Sequence, residues 1–203
     1  MATQLTKEWE HTDEINVYIG LDSWHPTKGT RLTGDRNHYK RLTFKDNRLQ
    51  ELEPTPSKEW NFKKPIGNKE VVSLPLSEII TISNHLNVNT VTTYLSHNSL
   101  DDLRNNSTPE PKAIDEKNRS SQQFSLEVVA LKGNEERRIS AQGQDIYAVT
   151  APLVVEAVNG ILSGKATSNG VKTLGEAFAT GDFLNSSQED DIKITMVEES
   201  YVK

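Results

Sequence analysis

Cysteine is absent from the 203 residues, which excludes disulfide frameworks, thiolate zinc sites and thiol nucleophiles. Missing too is any apolar run approaching the roughly 18 residues that suggest a membrane span. The segment Met1–Glu10 shows no basic stretch followed by an apolar one, so no secretory signal is legible. These absences lead us to expect a cytoplasmic protein with no membrane contact. Acidic residues outnumber basic ones by 29 to 23, for a net charge of −6. A uniformly basic face for nucleic acid is therefore not expected. Hydrophobic residues are sparse at 34%, yet the length suffices for one domain, residues 1–203, with its own core.

Several chemistries are missing as well. A dinucleotide site needs a strand, a glycine-rich turn and a helix whose amino terminus faces the pyrophosphate. No G-x-G-x-x-G occurs. Gly160-Ile-Leu-Ser-Gly-Lys165 is one residue short of a phosphate loop, and it lies at the end of a helical pattern, the wrong pole for an anion. His11, His25, His38, His85 and His97 never form H-x-x-x-H or H-E-x-x-H, so no metal ligands are expected. A G-x-S-x-G elbow is lacking. The pairs Asp101-Asp102 and Asp190-Asp191 read as solvated faces or helix-start charges rather than an acid–base couple. No catalytic residue is assigned.

What is present is a strand-rich pattern. From Asp13 to Leu21, Ile15, Val17, Ile19 and Leu21 alternate with polar or small residues, the period of a strand with one buried face. Asp22–Asn47 reads as a long surface loop and Glu51–Gly67 as irregular chain. Val71–Leu74 suggests a short strand, Pro75–Leu86 a helix with Leu76, Ile79, Ile80 and Ile82 inward and Ser77, Glu78 and Thr81 more exposed, and Asn87–Ser96 a strand. Residues 105–120 form an insertion loop and a candidate for local disorder. Gly133-Asn134 marks a hairpin between Phe124–Lys132 and Arg137–Ala141. Pro152–Ser163 follows as a buried core helix, with Thr150 outside it as cap and Pro152 at its first position. Thr173-Leu-Gly-Glu176 has capping-box spacing and opens a short helix ending near Gly181. Ile192, Ile194 and Met196 alternate as a last strand, within a tail spanning residues 187–203. The expected class is α+β: a mixed, largely antiparallel sheet with helices packed on one face.

The candidate ligand-facing groups gather around Trp24. Trp24, Thr30, Arg31, Arg36 and Asn37 combine an aromatic plate, a hydroxyl, an amide and two guanidiniums. Arginine grips a carboxylate or phosphate through paired hydrogen bonds, and Gly29 and Gly34 would let the loop fold tightly around a ligand. The same arginines could equally pair with the domain's own acids. Arg119, beside Gln122 and Gln123, enters a strand, and Tyr147, beside Asp145, occupies the corner before the Pro152 helix. The amino end of that helix is a second place where an anion could sit.

Four stretches carry a resemblance in this order: Gly29-Thr-Arg-Leu-Thr-Gly-Asp-Arg-Asn37, Pro75-Leu-Ser-Glu78, Arg119-Ser-Ser-Gln-Gln-Phe124 and Gly143-Gln-Asp-Ile-Tyr-Ala-Val-Thr-Ala-Pro-Leu-Val-Val-Glu-Ala157. Together they resemble the second, non-nucleotide domain of saccharopine-dehydrogenase-like oxidoreductases, over about Ile15 to Leu184. The resemblance implies an α+β domain that covers a small-molecule substrate and forms a homodimer. It also implies NAD(P), held by a Rossmann domain that these residues do not include. The chain would then bind no cofactor alone and would need a Rossmann partner. A stand-alone, non-enzymatic binding or scaffold protein that retains the fold is the alternative.

Overall fold

The computed structural model describes residues 1–54, 57–188 and 192–201. At its centre lies β1 (Thr12–Leu21), between parallel β6 (Val88–Ser96) and antiparallel β7 (Gln123–Lys132). Beyond β7 come β8 (Glu135–Gln144) and β9 (Ile192–Tyr201), both antiparallel. Past β6 lie the hairpin β2 (Leu42–Lys45) and β3 (Arg48–Glu51), giving the order β3-β2-β6-β1-β7-β8-β9. A second hairpin, β4 (Lys58–Asn61) and β5 (Asn68–Ser73), joins the far end of β6 through β5. The expected α+β class, with a mixed and mostly antiparallel sheet, is what forms.

Seven helices complete the described chain: α1 (Ala2–Leu5), α2 (Lys28–Arg36), α3 (Glu78–Ser83), α4 (His97–Arg104), α5 (Thr150–Leu162), α6 (Leu174–Ala177) and α7 (Thr180–Ser186). Leu5 of α1, Ile79 and Ile82 of α3 and Leu100 of α4 pack into one core with Ile15, Val17 and Ile19 of β1. Period two sends these three β1 residues to one face of the sheet.

The other face of β1 is covered as well. Asn16, Tyr18 and Gly20 are buried along with the apolar set, so β1 is a central strand closed on both sides rather than one with a single buried face. Its second cover comes from a distant segment, the β4–β5 hairpin and the turn after β4. Trp60 stacks on Tyr18 at 3.6 Å between centroids, and Phe62 lies so close to Gly20 that a Cβ there would stand 2.9 Å from its ring. Glycine is required at that crossing by space, not by torsion. Beneath Trp60, the fully buried Glu127 of β7 accepts hydrogen bonds from Trp60 Nε1 (3.0 Å) and Lys63 N–H (3.0 Å) and pairs with Arg138 of β8.

Several expectations change on inspection. Asp22–Asn47 is not a plain loop, because Thr27 caps α2 by accepting the Thr30 N–H at 3.2 Å and Gly29 and Gly34 lie within that helix. Each glycine costs a helix about 1 kcal/mol, which hides it from pattern reading. β4 occupies the stretch expected to be irregular, and Asp46 and Asn47, at φ 54° and 58°, close the β2–β3 turn. α4 has no counterpart in the pattern reading, and α3 is shorter than expected; Leu76 before it and Ile80 within it are exposed rather than inward. The Gly133-Asn134 hairpin and the capping box at Thr173 form as expected, although α6 ends at Ala177 and α7 follows.

The largest correction concerns α5. It begins at Thr150, so Pro152 is its third residue, and Thr150 donates to the Ile146 carbonyl instead of capping. It is not a core helix. Gly160 is its one buried residue; half-buried Leu153, Glu156 and Ala157 share the inward side, while Val154, Val155, Val158, Ile161 and Leu162 face outward.

Candidate functional site

The corner expected from sequence does assemble three of its members. The chain leaves β1 at Leu21, passes Trp24 and enters α2, while Tyr147 arrives on the turn after β8. Trp24 Nε1 donates to the Tyr147 hydroxyl at 2.7 Å, and that hydroxyl shares a hydrogen bond of 3.0 Å with Thr30 Oγ1. Trp24 N–H is held by Asp102 of α4 at 2.8 Å, and His25 N–H donates to buried Gln122 at 2.6 Å. Asp102 is therefore a tether, not a solvated charge. Each polar group here already has a partner, so the corner fixes the path of the loop.

Replacing Tyr147 with phenylalanine leaves the indole N–H of Trp24 without its acceptor. We expect a loss of about 1–2 kcal/mol in stability, the range for an orphaned donor at a half-buried site. Urea denaturation measures the loss, and a tryptophan emission shifted to the red reports the local loosening. An unchanged emission maximum and midpoint would show that the hydroxyl holds nothing.

The arginines do not converge on this corner. Arg31 donates to the carbonyls of Leu103 (2.9 Å), Asn105 (3.2 Å) and Thr108 (3.0 Å), where a cation suits the carboxyl end of α4. Arg36 and Asn37 are exposed at the far end of α2, and six residues of helix separate Arg36 from Thr30 by about 9 Å along the axis. Arg119 is bound to Asp115 at 2.8 Å, and the same carboxylate accepts the backbone N–H of Arg119 (3.0 Å) and Lys117 (3.1 Å). The 105–120 segment lacks regular structure, but Asp115 gives it a centre. The backbone hydrogen bond from Arg119 is the main reason the Asp115 carboxyl lies below its usual range.

The turn into α5 carries its own anion. Asp145, buried and at φ 59°, accepts from Ser120 N–H (2.7 Å), Tyr147 N–H (3.0 Å) and Ala148 N–H (3.1 Å). Burial pushes its carboxyl up, but the backbone donors win and hold it below the ordinary value. This strand-to-helix turn has neither the glycines nor the free N–H groups that a pyrophosphate needs. NAD(P) does not fit there. Among the described residues no three acidic or histidine side chains cluster as metal ligands, and no helix is long and apolar enough to cross a membrane.

A different site was not legible in advance. One rung runs straight across four strands, Ile19–Leu126–Ala141–Ile194, and it floors a cavity of about 370 Å³ roofed by Leu153 of α5 and by Phe183 and Leu184 of α7. A larger, wetter recess of about 840 Å³ adjoins it, reaching Thr81, His85 and Lys172. Glu78, at the start of α3, lines both. Its Oε2 is closed off from solvent without a hydrogen-bond partner, and burial pushes its carboxyl above the usual range. The helical pattern had placed Glu78 on the more exposed side; a carboxylate at the edge of an apolar helix face gave no further signal.

No protein-family model matches the chain, and no curated protein matches it. The functional reading therefore stands on the motifs and the geometry.

Proposed function

We propose that this chain is the substrate-covering, self-associating domain of a saccharopine-dehydrogenase-like NAD(P)-linked oxidoreductase of the cytoplasm, not catalytically complete alone. The observation that carries the reading is α5. A helix that turns its branched apolar residues outward and its glycine inward is built to be covered by another surface. The helix belongs to the Gly143–Ala157 motif, the longest element of the resemblance, and it roofs the apolar cavity. Reaction chemistry would come from a Rossmann partner holding the dinucleotide, while this chain encloses the small-molecule substrate and excludes water.

Titration of the purified chain with NADPH, followed by calorimetry, is expected to show no saturable binding. Stoichiometric binding to the chain alone would end this reading. A second reading, a stand-alone binding protein that keeps the fold without redox chemistry, is favoured by one observation: floor and roof of the cavity come from a single chain. Purification from the native source decides between them. A Rossmann-containing polypeptide that co-purifies supports the first, and its absence supports the second.

A further inference from the structure

Native interiors are packed to crystal-like density, with few voids larger than a water molecule. The recess between the sheet and α5 and α7 is half open, and its volume of about 370 Å³ falls within the range of small-molecule sites, about 300–1,000 Å³. Its lining is dominated by Ile19, Phe124, Leu126, Ala141, Ile194 and Phe183. The polar side chains in its wall are already engaged, with one exception. Thr180 Oγ1 donates to Gln4 at 2.8 Å, Ser187 Oγ to the Phe183 carbonyl at 2.6 Å, and Thr150 Oγ1 to the Ile146 carbonyl at 3.2 Å. The exception is Glu78, whose Oε2 has no partner.

An ordered water makes two to four hydrogen bonds, and the apolar floor and roof of this cavity offer it few partners. A molecule with an apolar body and a single donor satisfies both the cavity and the carboxyl. We propose that this cavity binds a small apolar molecule with one terminal hydroxyl or amino group, its body lying on the Ile19–Leu126–Ala141–Ile194 floor and its head donating to Glu78. Glu78 lines both the apolar cavity and the wetter recess, and its Oε2, shielded at rest, meets the head group as the side chain turns toward the cavity. The inference stands on the cavity alone. A chain that bound NADPH by itself would end the redox-partner reading and leave this site untouched.

The test uses 1-aminoanthracene, an apolar probe with one amino head, and anthracene, which has none. Fluorescence titration of the full chain is expected to give one saturable site for each. Glu78→Leu weakens 1-aminoanthracene about tenfold, the value of one hydrogen bond, and changes anthracene less than about twofold. Ala141→Trp, which fills the cavity from the floor, abolishes both. Leu153→Trp does the same from the roof, should the floor variant fail to fold. In the unmodified chain, methyl NMR shifts on adding the probe are expected at Ile19, Ala141 and Ile194. Absence of saturable binding overturns the proposal, as do equal losses of both probes in Glu78→Leu. So do shifts confined to Val155, Val158 and Ile161, which would mean that the probe merely coats the outer face of α5.

Discussion

Replacing Glu127 with alanine is expected to lower stability by about 3–5 kcal/mol, the cost of removing one partner of a buried ion pair. The carboxylate is fully enclosed on the face of β7 opposite the cavity, while its partner Arg138 keeps 27% of its side-chain surface exposed. Four donors converge on it: Trp60 Nε1, Lys63 N–H, Ser125 Oγ and the Arg138 guanidinium. Alanine leaves the guanidinium without its counter-charge, at a place where its Nε already lacks a partner. It also frees the indole and the Lys63 amide, which together tie β4 and the following turn to the sheet. Trp60, stacked on Tyr18 and lying 4.8 Å from the Arg138 guanidinium, keeps its stack but loses its hydrogen bond to the sheet.

The cause can be separated from simple loss of volume. Glu127→Gln keeps the shape and one acceptor, and is expected to cost about half as much. Glu127→Met combined with Arg138→Leu removes both charges together and should recover the share of the loss due to the unpaired guanidinium, but not the share due to the freed Trp60 indole and Lys63 amide. Urea denaturation of the four proteins measures these differences. If Glu127→Ala costs no more than an ordinary surface change, about 0.5 kcal/mol, the carboxylate is not the clamp described here. The consequence reaches the site, because Leu126 and Val128 on the opposite face of the same strand line the cavity and the recess.

The sequence announced the strands better than their surroundings. Alternation in Asp13–Leu21 located β1 within a residue, since period two is a local property. That Tyr18 and Gly20 would also be buried depended on Trp60 and Phe62, some 40 residues away in a stretch broken by prolines, and no local pattern carries that. α2 was hidden because Gly29 and Gly34 argue against a helix while Thr27 and the grip of Arg31 on α4 argue for one, and the second set acts through tertiary contacts. The candidate site divides the same way. Trp24, Thr30 and Tyr147 meet, although about 120 residues separate the ends in sequence. Arg36 and Asn37 do not join them, because a helix carries them away. Glu78 was legible as a carboxylate near an apolar face, but its shielding from solvent depends on how α1, α3, α6 and the sheet close around it.

Helical spacing was read correctly in α5, and its direction was not. Spacing says that Val154, Val158 and Ile161 share one side and that Leu153, Ala157 and Gly160 share another; it does not say which side meets the sheet. Steric fit decides it. Gly160 lies against Phe178, where a Cβ would come within 2.6 Å of the ring, so only the small-residue side can approach that closely. The outward side is left with Val155 at 57%, Ile161 at 58% and Leu162 at 80% exposure. Glu156 is the only charged residue in α5, and it is turned partly inward, so the outward stripe carries no charge that would demand a complement. Such a stripe matches a second copy of itself, and two-fold pairing is the commonest arrangement for a self-complementary patch. We expect sedimentation at micromolar concentration to show a species of twice the chain mass. Placing Val158→Glu and Ile161→Glu together in that interface buries unpaired charge, at a cost of about 3–5 kcal/mol, and should weaken the dimer at least 100-fold. The isolated chain should keep its thermal stability nearly unchanged, because both side chains point away from its own core. A wild-type protein that sediments as a monomer would remove the second copy as the cover and leave the Rossmann partner in its place. A double variant that remains dimeric would move the interface elsewhere on the surface.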